Sequence, residues 1–300
     1  MNAPNVSLKG LDLRAELDRL RKERNAVILA HYYQTPDIQD LADFVGDSLD
    51  LSRKAQATDA DVIAFCGVRF MAETAKILSP DKIVVLPDMN AGCSLEDSCP
   101  PDKFKAFREA HPDHIALTYI NSSAEVKGLS DIIVTSSSAE TIVKQIPLEQ
   151  KIIFGPDKHL GGYLARKMGR EMLLWPGVCI VHEAFSETEL IKLKAQHPGA
   201  PVLAHPECPP HIIHQMQKDA PHKIFIGAPG ADGNCNCNMC PYMALNTIEK
   251  LYVALRDLQP RIEMEEGLRL RAKKSLDRML EMAASTVGKG DVGRPQISGD

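Results

Sequence analysis

The chain has 300 residues, 44% of them hydrophobic, and its 35 basic and 40 acidic residues leave a net charge of −5. This size suggests about two domains, and the composition is that of an ordinary globular protein. A mildly acidic chain lacks the basic stripe expected of a nucleic-acid-binding protein, and no apolar run approaches the ~20 residues that a membrane helix needs. The charged N-terminus has no apolar signal-peptide core, so we expect a cytoplasmic protein.

Three segments of the chain share one plan, in which apolar strands alternate with helical patterns. The first contains AVILAHYY, LADFVGDSLDLSRKA and DVIAFCGVRFMAETAKIL, and the second contains HIALTYIN, SDIIVTSSSAETIVKQ and KIIFGPDKHLGGYLARKM. The third opens with PVLAHPECP and closes with GNCNCNMC. Short buried strands that alternate with helices predict βαβ units and a parallel sheet, so the fold class is α/β.

The third repeat is shorter than the other two. From His31 to Cys93 there are 62 residues, and from Tyr119 to Cys179 there are 60, but from His205 to Cys240 there are only 35. We therefore predict an N-terminal helix, two complete repeats, one truncated repeat, and a C-terminal helix with a tail. The predicted boundaries are 1–26, 27–110, 111–198, 199–259 and 260–300.

Polar side chains follow the first strand of every repeat. Ligands bind beyond the carboxyl ends of the strands in parallel α/β sheets. If the three repeats pack around a pseudo-threefold axis, these polar side chains converge. They are His31, Tyr33, Tyr119, Asn121, His205 and Glu207.

Two serines, Ser48 and Ser136, stand at predicted helix starts. A serine there is ordinarily an N-cap, and capping alone would explain either one. A helix N-terminus also attracts anions, so the same positions suit a dicarboxylate.

Each repeat ends at a cysteine, namely Cys93, Cys179 or Cys240. In a reducing compartment such cysteines point to metal binding or catalysis rather than to disulfides. Structural zinc usually takes two C-x2-C pairs, and only Cys237 and Cys240 are so spaced. One thiolate per repeat would instead hold a four-iron cluster and leave one iron open as a Lewis acid.

The other cysteines admit different interpretations. Cys66 and Cys99 are expected to be small buried hydrophobic residues. Cys208 follows HPE and has no counterpart in the other repeats. Cys235 and Cys237 are rival candidates for the third metal ligand, or a redox pair.

The motifs, taken together and in order, resemble those of the quinolinate synthase family. They are AHYYQTPDIQDLADFVGDSL, FCGVRFMAETAKIL, PDMNAGCSLEDSCP, TYINSSAEVK, LWPGVCIVHE, HPEC and CPYMALN. The resemblance extends over nearly the whole chain. The resemblance implies three pseudo-symmetric Rossmann-like α/β/α domains around a central 4Fe–4S cluster held by Cys93, Cys179 and Cys240.

The resemblance also implies an activity and its site residues. The expected reaction condenses iminosuccinate, which an L-aspartate oxidase would supply, with dihydroxyacetone phosphate to give quinolinate for NAD biosynthesis. The proton-transfer residues would be Tyr33, Tyr119 and Glu207, with Glu207 oriented by His205. The substrate-binding residues would be His31, Ser48, Tyr119, Asn121, Ser136, His205 and Glu207.

The sequence departs from the family after Cys208, where it passes directly from HPECPP to HIIHQMQ. About 35 residues, a helix, a G-S-T turn and a strand, are missing from the third repeat. Two alternatives to an active synthase therefore stay open. One is a homologue that binds the cluster but is inactive. The other is a non-catalytic metal or redox sensor built on Cys235, Cys237 and Cys240.

Overall fold

The computed structural model describes residues 8, 10–183, 187–201, 216–218, 220–226 and 240–284, without the side chains of residues 182 and 187. These residues form two compact units. The first unit comprises Met1–Asp97 and Val178–Glu265, and the second comprises Ser98–Gly177 and Glu266–Asp300. The five-segment division drawn from the sequence stays a prediction.

The first unit is built on a four-stranded parallel sheet. Its strands are β1 (Ala26–His31), β2 (Phe44–Gly46), β3 (Val62–Cys66) and β4 (Ile83–Val85). They lie in the order β2-β1-β3-β4, and every pair is parallel. All five residues of β3 are buried, as are five of the six in β1. Continuous apolar runs of this kind are typical of a strand that is covered on both faces.

Two amphipathic helices pack against the sheet of this unit. Helix α1 (Leu13–Glu23) and helix α12 (Ile248–Asp257) bury Leu17, Leu20 and Leu251 in one cluster with the side chains of β1 and β3. The segment after α12 runs antiparallel to β4, where Ile262 N donates to Val84 O at 2.9 Å. The helices are α1 (Leu13–Glu23), α2 (Pro36–Gln39), α3 (Ser48–Ala57), α4 (Arg69–Leu78), α5 (Ser94–Asp97), α10 (Ile180–Glu183), α11 (Glu187–Gln196) and α12 (Ile248–Asp257).

The second unit repeats the same sheet. Its strands are β5 (His114–Tyr119), β6 (Ile132–Val134), β7 (Lys151–Gly155) and β8 (Leu173–Leu174). Their order, β6-β5-β7-β8, is that of the first sheet with each strand replaced by its counterpart, and all pairs are again parallel. The predicted α/β class with parallel sheets is therefore confirmed for the first two repeats.

Aromatic side chains form the centre of the second unit. Phe104 is fully buried, and its ring packs edge-on against Trp175 with the centroids 5.8 Å apart. The indole Nε1 of Trp175 donates to Ser98 O at 3.0 Å, so the polar end of this side chain is satisfied. The helices of the unit are α6 (Pro101–Glu109), α7 (Ala124–Gly128), α8 (Ala139–Lys144), α9 (Lys158–Met168) and α13 (Glu266–Ala284).

Two cysteines belong to these cores, as the sequence predicted. Cys66 is fully buried in the cluster under β1 and β3, and Cys99 is buried beside Phe104. Burial raises the pKa of each thiol to about 12. Both thiols therefore stay protonated near neutral pH and act as small apolar groups.

Replacing Phe104 with Ala should destabilise the second unit. The change leaves a cavity in a site with no exposed surface, so we expect a loss of about 3–5 kcal/mol in the free energy of unfolding. Urea denaturation followed by Trp175 fluorescence would measure it. Phe107→Ala, on the same helix but half-buried, is the matched control and should cost clearly less. Equal costs for the two variants would contradict this account of the core.

Candidate functional site

The carboxyl edge of the first sheet carries His31 and Tyr33. His31 is the last residue of β1 and is almost completely buried. Its Nδ1 accepts a hydrogen bond from the backbone N–H of Tyr33 at 3.2 Å, so the neutral imidazole carries its proton on Nε2. The Tyr33 ring stands edge-on to the imidazole with the centroids 4.5 Å apart. This contact holds the two side chains together just past the strand.

Ser48 lies at the same edge. His31 pairs with Gly46 of β2, and two residues further on Ser48 begins α3 and is buried. The N-cap, however, is Asp47, whose carboxylate accepts the N–H of Asp50 at 2.8 Å. Ser48 thus stands at a helix start, as predicted, but the capping role that could have explained it belongs to Asp47. Because Asp47 already fills the capping position, the Ser48 hydroxyl is not needed for that purpose.

The carboxyl edge of the second sheet carries Tyr119 and Asn121. Tyr119 ends β5 in register with Val134 of β6 and is buried. A tight turn follows, in which Ser122 N donates to Ile120 O at 2.8 Å. Asn121 is half-buried, and its side-chain oxygen is buried without a hydrogen-bond partner among the described residues. A buried amide oxygen without a partner is costly, which is typical of a position that meets a ligand.

Ser136 lies in a turn rather than at the start of a helix. Helix α8 begins at Ala139, and Ser138 occupies its N-cap position. Thr135 N donates to the Ser138 hydroxyl at 2.9 Å, and Ser138 N donates to the Thr135 hydroxyl at 3.2 Å. These reciprocal hydrogen bonds hold the turn. The N-cap of α8 is therefore Ser138, two residues after the predicted helix start at Ser136. Ser136 is half-buried within this turn.

Each of the three repeat-ending cysteines stands directly before a helical turn. Cys93 precedes α5, and Asp97 N donates to its carbonyl at 2.9 Å. Cys179 precedes α10, and Glu183 N donates to its carbonyl at 3.1 Å. Cys240 precedes a 3-10 helix, Met243–Leu245. Backbone N–H groups at such positions point back towards the preceding side chain.

Contacts within the first unit join the three short segments that contain Cys93, Cys179 and Cys240, called here the cysteine segments. Ile180 N donates to the hydroxyl of Ser94 at 3.3 Å, which joins the segment after Cys179 to the segment after Cys93. A Cβ atom placed on Gly92 would lie 3.8 Å from the ring of Tyr242, two residues past Cys240. The sulfur atoms are also close enough for electrostatic coupling, since Cys179 influences both Cys93 and Cys240.

Partial burial has the largest effect on the acidity of Cys93 and Cys240. It raises the pKa of Cys93, and the neighbouring Cys179 raises it further. Burial likewise raises the pKa of Cys240. Backbone N–H groups of Leu95 and Glu96 donate to the Cys93 sulfur, and those of Tyr242 and Met243 donate to the Cys240 sulfur. The N–H groups therefore favour thiolates at positions where burial alone opposes them.

This donor set suits an iron–sulfur cluster. Within the described part of the chain, no three His, Cys, Asp or Glu side chains are grouped so as to hold a single metal ion. A 4Fe–4S cluster takes one thiolate per iron, so its ligands stand further apart than those of one ion. Clustered thiols with N–H groups aimed at their sulfurs fit that requirement, because such hydrogen bonds stabilise cluster-bound thiolates.

Tyr242 is a site residue that the sequence analysis did not single out. Partial burial raises the pKa of its phenol, and Asp97 and the three thiols raise it further. The phenol is therefore a neighbour of all three cysteines. The motif CPYM, in which Tyr242 follows Cys240 by two residues, could have indicated this position from the sequence.

Several predicted site residues lie outside the described residues. They are His205, Glu207, Cys208, Cys235 and Cys237. The predicted convergence of the three repeats, and the roles assigned to individual residues, stay predictions.

No helix in the described ranges is both long enough and apolar enough to span a bilayer.

The chain is similar to quinolinate synthases over most of its length. The family model described as quinolinate synthetase A protein matches residues 15–214 and 210–281. The quinolinate synthase of Chloroherpeton thalassium is 55% identical over 93% of this chain and 97% of its own length. Those of Trichormus variabilis and Thermosynechococcus vestitus are 55% and 54% identical, each over 91% of this chain, and over 94% and 96% of their own lengths.

The same alignments indicate a gap in the third repeat. The Chloroherpeton match runs over 311 aligned positions, but 93% of this chain is only about 279 residues. Roughly 30 positions of the relative therefore have no counterpart here. The family model also matches in two pieces that meet at residues 210–214, just past Cys208. Both observations agree with the segment that the sequence analysis found missing.

The family model matches far more than half of the chain, and identities of 54–55% extend over nearly the whole length of the relatives. The chain therefore belongs to the quinolinate synthase family.

Proposed function

We propose that this chain is an active quinolinate synthase, which condenses iminosuccinate with dihydroxyacetone phosphate and releases phosphate and two water molecules. The observation that carries the proposal is 55% identity to a quinolinate synthase over 97% of that enzyme's length. The meeting of the three cysteine segments in the first unit supports it independently. The product would enter NAD biosynthesis, and an L-aspartate oxidase would supply the imine.

Cys93, Cys179 and Cys240 are the proposed ligands of a 4Fe–4S cluster. Three thiolates leave one iron without a protein ligand, and when bound the cluster supplies a Lewis acid for substrate oxygens. The N–H groups that face the sulfurs of Cys93 and Cys240 support this assignment. Thiols that must remain reduced also favour a cytoplasmic location.

The edge of the first sheet is the proposed site for a carboxylate of the substrate. Ser48 begins the ten-residue helix α3, whose N-terminus favours negative charge. His31 donates from Nε2, because its Nδ1 is occupied by Tyr33 N. We assign Tyr33 to proton transfer at the same position, and its edge-on contact with the imidazole supports this role.

The edge of the second sheet offers a second polar group of side chains. Tyr119 and Asn121 follow β5, and Ser136 lies in the turn after β6, the strand that pairs with β5. We assign Tyr119 to proton transfer, and Asn121 and Ser136 to hydrogen bonds with the substrate. The unpartnered amide oxygen of Asn121 supports its role.

His205 and Glu207 complete the proposal. The Pro206 between them places an imidazole and a carboxylate on one short segment. Glu207 would move protons during isomerisation and dehydration, and His205 would orient it.

The cysteine assignment predicts a selective loss of metal. Changing Cys93, Cys179 or Cys240 to Ser should remove most of the iron and sulfide from anaerobically purified protein, because each change deletes a ligand. Cys66→Ala and Cys99→Ala are the matched controls, since these thiols lie in the cores and should leave the iron content unchanged. Full iron retention by Cys93→Ser and Cys179→Ser would instead favour a sensor built on Cys235, Cys237 and Cys240.

The proposed activity predicts turnover and its loss in one variant. Anaerobic, iron-loaded protein should form quinolinate from iminosuccinate and dihydroxyacetone phosphate. Glu207→Gln should keep its iron and lose about 10²–10⁴-fold in kcat, the usual contribution of general acid–base catalysis. Quinolinate and iron would be measured on the same samples. Iron-loaded wild-type protein without turnover would identify an inactive homologue, whereas an active Glu207→Gln protein would exclude that role for Glu207.

A further inference from the structure

A single buried amide ties the Cys240 segment to the first sheet. Asn246 is only 1% exposed. Its Nδ2 donates to the carbonyl of Gly67 at 2.7 Å, across 179 residues of sequence, and also lies 3.4 Å from the carbonyl of Met243. The first contact joins the segment to the residue that follows β3, and the second lies at the 3-10 helix Met243–Leu245 that follows Cys240.

The Cys93 loop is attached to the same short stretch of backbone. Gly67 directly follows β3, and two residues later the backbone N–H of Arg69 donates to the carbonyl of Ala91 at 2.7 Å. Ala91 is fully buried and lies two residues before Cys93. The stretch from Gly67 to Arg69 therefore holds two of the three cysteine segments, through one hydrogen bond each.

This stretch is a rigid support. A Cβ atom on Gly67 would approach the ring of Phe65 to 2.8 Å, so the backbone there is packed as closely as a glycine allows. Phe65 belongs to β3, a central strand of the sheet. A displacement of Gly67 would therefore disturb the core.

We propose that Asn246 is the positioning residue that fixes the Cys240 thiolate relative to Cys93 for cluster binding. The inference rests on the proposed ligand role of Cys240. Asn246 does not touch the cluster. It acts through the turn between Met243 and Cys240, whose N–H groups face the Cys240 sulfur.

Two other side chains reach the same segment, but they are weaker anchors. Lys250 Nζ donates to Leu245 O at 2.7 Å and to Asp88 at 2.6 Å, but its side chain is 41% exposed and water can replace these contacts. Gln34 Nε2 contacts the sulfur of Met243 at 3.4 Å, and a thioether is a weak acceptor. Asn246 alone of these three makes a buried amide–carbonyl hydrogen bond to the sheet.

The test compares cluster stability in Asn246→Ala and Asn246→Asp with that of the wild type, using full-length anaerobic protein. Iron and sulfide per chain, and the rate of iron release to a ferrous chelator, are the measurements. We expect both variants to release iron about tenfold faster than the wild type, as for residues that orient metal ligands. Asn246→Asp keeps the side-chain volume but cannot donate when ionised, so it reports on the hydrogen bond if Asn246→Ala does not fold.

Thr247→Ala is the matched control. It removes the N-cap of α12, where Thr247 Oγ1 accepts Lys250 N at 3.3 Å, and it leaves the Asn246–Gly67 contact in place. Iron release at the wild-type rate in Thr247→Ala supports the proposal. Equal acceleration in Thr247→Ala, or wild-type release in Asn246→Asp, overturns it.

Cys240→Ser, measured alongside, separates this inference from the proposed function. If Cys240→Ser loses its iron and Asn246→Asp retains it at the wild-type rate, only the positioning role fails. If Cys240→Ser retains all its iron, the proposed ligand set fails, and the positioning role fails with it.

Discussion

Holding three half-buried cysteines near one another is the constraint on which the rest of this structure depends. Burial and mutual proximity both oppose ionisation, as the raised pKa values of Cys93 and Cys240 indicate. Thiolates are nevertheless the form that binds iron. Placing the cysteines directly before helical turns supplies N–H groups to the sulfurs, and a bound cluster would supply the remaining positive charge. The N–H groups therefore offset part of the penalty that burial imposes on the thiolates of Cys93 and Cys240.

The repeated sheet explains where the polar site residues lie. In each unit, one of the two inner strands ends at a predicted site residue that pairs with the neighbouring strand. His31 of β1 pairs with Gly46 of β2, and Tyr119 of β5 pairs with Val134 of β6. Parallel strands end at a common edge, so side chains that follow neighbouring strands lie near one another although they are distant in sequence. The same geometry buries most residues of β1, β3, β5 and β7, and it leaves the polar side chains at the strand ends and in the turns that follow.

The gap in the third repeat follows Cys208, which lies outside the described residues, whereas Cys240 lies within them. Cys240 belongs to a segment that is held by the first unit, through Asn246 at Gly67 and Tyr242 at Gly92. A gap after Cys208 removes no described contact of this segment. The described contacts that hold the Cys240 segment therefore do not involve residues beside the gap. Iron content and turnover would test the proposed ligand set and the proposed activity separately.

Much of this protein follows from local sequence patterns. Apolar runs and helical periodicity predicted parallel α/β units, and the buried environment of Cys66 followed from its strand VIAFC, because these properties depend on residues close in sequence. Tertiary structure decided the rest: that Asp47 rather than Ser48 caps α3, that α8 begins only at Ala139, and that Asn246 joins Cys240 to β3. A hydrogen bond between residues 179 positions apart leaves no periodic trace in the chain, so only the folded backbone reveals it.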